Sequence, residues 1–100
     1  MKSVSSNVLN QFKSLKVENN RPVNFSEIQP AELATSNSLV FISSKQMLET
    51  ALANGACGFI ILEKIYADLA PMLQTDMWSA STPNIHWAMS DILALFDVNK

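Results

Sequence analysis

The sequence predicts an α/β fold: a small, mainly parallel or mixed sheet with flanking helices, built around one βαβ unit. Three observations predict it. The runs LVFIS (39–43) and CGFIILE (57–63) are apolar on nearly every position, as strands covered on both faces are. Between them, Met47, Leu48, Ala51 and Leu52 recur at helical spacing. The whole chain is 48% hydrophobic and 16% charged, the composition of a folded domain rather than a disordered one.

Taken in order, residues 4–15 place Val4, Val8, Leu9, Phe12 and Leu15 at helical spacing and predict a first amphipathic helix. KVENNRP reads as a turn, because Asn19-Asn20 and Pro22 disfavour continued helix. VNFSEI alternates through Val23, Phe25 and Ile28 and predicts a short strand. QPAELATSNS is a loop with one helical turn at 31–34. LVFIS opens a right-handed βαβ unit, whose helix Ser43 caps and Gln46 completes as a capping box. Asn54-Gly55 ends that helix, since glycine suits the left-handed position past the last turn. CGFIILE is the second strand. Residues 65–73 predict a weaker helix with Pro71 inside it, and DMWSAS a third core strand. Thr82 and Pro83 fit the N-cap and first position of a final helix, with Ile85, Ala88, Met89, Ile92, Leu93 and Phe96 on one face.

One hundred residues make a single domain, 1–100, with room for one core. Seven Lys and Arg among nine acids, a net charge of −2 and a pI near 5.2 supply no basic patch, so no nucleic-acid partner is expected. Cys57 is the only cysteine, which rules out an internal disulfide and fits the cytoplasm. MKSVSSNVLNQF lacks the apolar core of a signal peptide, and no apolar run reaches the ~20 residues of a membrane span.

Catalytic chemistry is not expected. His86 is the sole histidine, and neither Ser79 nor Ser90 stands in a nucleophile elbow. Cys57 has nothing basic placed to activate it. Glu63 and Asp68 read as a solvated pair. With one His, one Cys and two glycines, neither a metal site nor a phosphate-cradling loop is expected, and no cofactor. The aromatic residues are more informative. Phe41 lies near the carboxyl end of the first βαβ strand, and Ser43, Ser44 and Lys45 follow at a helix start, where α/β sheets hold ligands. Phe41 is either a stacking surface for a planar base or a core residue. Trp78 and Trp87 share the ambiguity, and Trp87 falls off the apolar stripe of the last helix.

PAELATSNSLVFISSKQMLETALANGACGFIILEKIYADLAP, followed by STPNIHWAMSDILALF, resembles the N-terminal, non-repeat domain of the UDP-3-O-acylglucosamine N-acyltransferases of bacterial lipid A biosynthesis. Those domains carry stretches like GDISFLxNPKYLKQLxxTxAxAVIV and NPYLAFAKLLxLF. The resemblance covers residues 22–96; a more distant one is to the N-terminal uridine-nucleotide domain of the Mur ligases. It implies a site for the uracil and ribose of a UDP-sugar, in which Phe41 takes the place of a stacking Phe. Ser44 stands where the family has Asn, Lys45 where it has Pro, and Met47 where it has a second stacking aromatic. The loss of one stacking wall would cost ~1–3 kcal/mol, about ten- to a hundredfold in affinity. In the family a β-helix of hexapeptide repeats with the catalytic His follows; here the sequence reaches Asp97-Val98-Asn99-Lys100 without one, so a non-catalytic chain is expected.

Two readings stand open. One is a uridine-nucleotide or UDP-sugar module using Phe41, Ser44, Lys45 and Met47, which calls for Phe41 exposed in a cleft. The other is a protein-interaction or self-association domain, which calls for Phe41 packed and Trp87 exposed.

Overall fold

The two apolar runs become neighbouring parallel strands in the computed structural model, which describes residues 4–74 and 76–96, with side chains to residue 94. β1 (Val4–Ser5) and β3 (Asn24–Phe25) form a small antiparallel pair. The main sheet has five strands in the order β2 (Lys16–Asn19), β7 (Trp78–Thr82), β6 (Gly58–Leu62), β5 (Ser38–Ile42), β4 (Glu27–Ile28). Strands β4 to β7 run parallel, and β2 is antiparallel to β7. The fold is therefore α/β with a mixed, mostly parallel sheet, as the sequence predicts.

Alternation along the strands divides the core. Val40, Ile42, Phe59 and Ile61 face α2 (Lys45–Ala53) and α3 (Glu63–Leu69), with Leu48, Ala51 and Leu69 packed over them. Leu39, Phe41, Ile60, Trp78 and Ala80 face the other way, under Leu9, Phe25 and α4 (Ile85–Phe96) with its Ala88 and Ile92.

The βαβ unit forms with one shift at its cap. Ser44, not Ser43, is the N-cap of α2: its backbone is extended (φ −153°, ψ 160°) and its Oγ accepts the Met47 N–H at 3.4 Å. Gln46 is then one position too early for a capping box, and the Ser43 hydroxyl instead donates to Met47 Sδ at 3.2 Å. Gly55 ends the helix as expected, at φ +88°. The Gly55 N–H reaches Leu52 O and the Ala56 N–H reaches Ala51 O, both at 3.1 Å, the paired bonds of a Schellman stop.

The first helix is much shorter than expected. α1 spans Ser6–Leu9 only. Ser5 is extended in β1, and Ser6 is held by residues 21–23: its N–H donates to Val23 O at 2.8 Å and its Oγ to Arg21 O at 2.6 Å. Beyond Leu9 the chain turns through Gln11-to-Val8 and Phe12-to-Leu9 bonds. The helical spacing marked burial at Leu9, which is fully buried, and at Phe12 and Leu15, which pack against the core, but not at Val8, which is exposed; serines and asparagines offer the backbone alternatives to a helix. The expected turn at KVENNRP is corrected too, since its first four residues are the edge strand β2. The expected strand over VNFSEI is split between β3 and β4.

Later elements follow the sequence closely. Residues 31–33 form a 3₁₀ turn. α3 gives way to a second 3₁₀ turn, Ala70–Met72, at Pro71. Asn84, not Thr82, caps α4, accepting the Trp87 N–H on Oδ1 at 3.1 Å. Thr82 is instead the last residue of β7, its hydroxyl bonded to Asn84 N and O. The Phe96 end of the predicted stripe lies outside the described side chains.

Gly58 shows how tightly the α4 face is filled. A methyl group there would collide with the Phe25 ring edge, which has nowhere to retreat because Phe25 is fully buried. Gly58→Ala is expected to cost about 1–3 kcal/mol in urea unfolding, part of it recovered in the Gly58→Ala, Phe25→Leu double variant.

Candidate functional site

The carboxyl ends of β5, β6 and β7 share one edge, and the starts of α2, α3 and α4 follow from them. Open α/β sheets take ligands at such an edge. Ser44 and Lys45 are exposed there. Phe41 is not: it is only 6% exposed and packs on the α4 face with Leu39 and Ile60. Met47 is half-buried against the opposite face of the sheet. The four residues thus come near one strand end, but Phe41 and Met47 do not face each other as two walls. A hollow of about 320 Å³ lies at this edge beyond β6 and β7, lined by Leu62, Glu63, Lys64 and Pro83.

A second hollow, about 230 Å³, opens on the α3 side between the edge strand β2 and the end of α3. Its lining is mostly polar: Glu18, Asn19, Tyr66, Gln74 and Ser79. The Tyr66 and Ser79 hydroxyls are 2.9 Å apart, and the Ser81 hydroxyl donates to Glu18 Oε2 at 2.9 Å. Burial pushes the Tyr66 phenol above its ordinary pKa, opposed by the bond to Ser79 and reinforced by the charge of Glu18. The sequence reading missed this cluster. Its one local trace is WSAST, where serines alternate through an otherwise buried strand.

The two tryptophans separate clearly. Trp78 is fully buried, in an edge-to-face pair with Phe25 at 6.0 Å and 68°. Trp87 is 47% exposed on α4; Leu93, expected on the apolar stripe of that helix, is 48% exposed, so the stripe is narrower than the spacing predicts and centres on Ala88 and Ile92. His86 is exposed, and Cys57 is a half-buried free thiol with its Sγ 3.6 Å from Gly55 O. Among the described residues no helix is long and apolar enough to cross a membrane, and no three His, Cys, Asp or Glu side chains cluster as metal ligands would.

Neither protein-family models nor curated proteins give a match to this chain.

Proposed function

We propose that the chain is a non-catalytic interaction domain that docks on a partner protein, in its simplest form a second copy of itself, through the exposed flank of α4 around Trp87. The supporting observation is the contrast between Phe41, packed at 6% exposure, and Trp87, left 47% exposed. A half-exposed tryptophan on a regular helix is the kind of anchor that dominates binding energy at protein interfaces. Leu93 is also exposed, but six residues on it lies about a third of a turn round α4 from Trp87, so the proposed anchor is Trp87 itself. A net charge of only −2 leaves little repulsion between copies. The lone unpaired Cys57 is compatible with a reducing, cytoplasmic setting.

Sedimentation of the wild type and Trp87→Ala at rising concentration tests this. The wild type should associate between micromolar and millimolar, and the variant should do so at least tenfold more weakly, since a hot-spot aromatic contributes about 2 kcal/mol or more. A wild type that stays monomeric at millimolar concentration contradicts self-association.

A second reading keeps the uridine-nucleotide or UDP-sugar site of the lipid A acyltransferase resemblance. It is supported by Ser44 and Lys45, both exposed where α2 begins at the carboxyl edge of the sheet. Phe41 and Met47 would then support that strand end from opposite faces of the sheet rather than enclose the base. Amide titration with UMP, UDP and UDP-N-acetylglucosamine tests it, and saturable shifts over residues 41–47 are the supporting result.

A further inference from the structure

We propose that the polar groove between β2 and the end of α3 binds a small neutral polyhydroxyl ligand, of the size and chemistry of a monosaccharide or cyclitol. The argument begins with Ser79 and Ser81, each 1% exposed. They lie on the sheet face where β5 and β6 place Val40, Ile42, Phe59 and Ile61. A core position filled by a hydroxyl loses apolar burial and must find a hydrogen-bond partner. Both serines find theirs at the groove, in Tyr66 and Glu18.

A second, independent feature is the irregularity in β2. Its register against β7 shifts between Val17 and Asn19. In a regular strand, successive side chains point to opposite faces. Here Glu18 and Asn19 both line the groove. Bulges re-aim side chains in this way and are over-represented on edge strands such as β2 and next to active sites.

The donor set selects the ligand. Tyr66 is a phenol, protonated at neutral pH and pushed further from titration by burial, and like Ser79 it can both donate and accept. Glu18 only accepts, and Gln74 contributes an exposed amide. Vicinal hydroxyls, each a donor and an acceptor, match such a set. The Glu18 carboxylate disfavours an anion. Lys16, opposite Ser81 in the register and so on the same face, offsets the attraction for a cation. Ala70 and Leu73 give the C–H faces of a ring something to pack on.

The test is an amide NMR titration of the full chain with glucose, galactose, mannose and myo-inositol to tens of millimolar, with sodium phosphate and ethylammonium as comparisons. At least one polyol should give saturable shifts at Asn19, Tyr66, Gln74 and Ser79. Tyr66→Phe, which keeps the ring and removes the hydroxyl, should weaken it about five- to tenfold. Glu18→Gln, at an exposed position, keeps an oxygen that can accept from the buried Ser81 hydroxyl and should weaken polyol binding similarly. The proposal is overturned if none of the four polyols shifts these residues, if phosphate or ethylammonium binds in their place, or if both variants bind as the wild type does.

Discussion

Phe41→Ala is expected to lose about 3–5 kcal/mol of stability, the range for deleting a buried phenylalanine. The ring is 6% exposed and sits between β5 and α4, among Leu39, Ile60, Ala88 and Ile92. α4 contacts β4 and β6, the strands on either side of β5, and Phe41 shares its core cluster with Ala88 and Ile92 of that helix. A domain of this size is stable by about 5–15 kcal/mol in all, so the variant should unfold at markedly lower urea with an unchanged m-value. The nucleotide reading makes a different forecast: stability close to wild type, with uridine-nucleotide binding weakened. One unfolding curve therefore separates a packed ring from a stacking ring.

Trp78→Ala should be at least as damaging. The indole is fully buried, packs edge-on against Phe25 and donates its Nε1–H to Asn10 Oδ1 at 3.3 Å. Its loss removes the largest fully buried side chain of the described core and leaves Phe25 without its ring partner. About 3–5 kcal/mol is expected from the deleted volume, plus about 0.5–1.5 kcal/mol for the aromatic pair. Asn10 is exposed, so its freed oxygen is satisfied by water at little cost. Tryptophan fluorescence adds a check, since the variant should retain only the emission of exposed Trp87, which a soluble quencher reaches. A Trp78→Ala protein with wild-type stability would contradict the packing described for the α4 face.

The parts of the fold that were legible carry their signals locally. β5, α2 and β6 announce themselves by continuous apolar runs, a serine cap and Gly55, and each forms within a residue or two of its expected place. The cap slipped by one because Ser43 and Ser44 are chemically equal to the task, and only the length of β5 decides between them. β2 was illegible for the opposite reason. KVEN has one β-branched residue, and its strand conformation comes from pairing with β7 about sixty residues away. The same holds for the polar groove, which joins β2, α3 and β7. Neither Tyr66 nor Glu18 carries any sequence mark of the other. The exposure of Trp87, by contrast, follows directly from its place off the α4 stripe.

The most direct test of the α4 surface is a dilution series of amide and indole NMR spectra from millimolar to micromolar protein. Concentration-dependent shifts concentrated at the Trp87 indole and its α4 neighbours, with residues 41–47 unmoved, are the predicted result. A Trp87 indole signal that stays constant across the series would contradict self-association through α4.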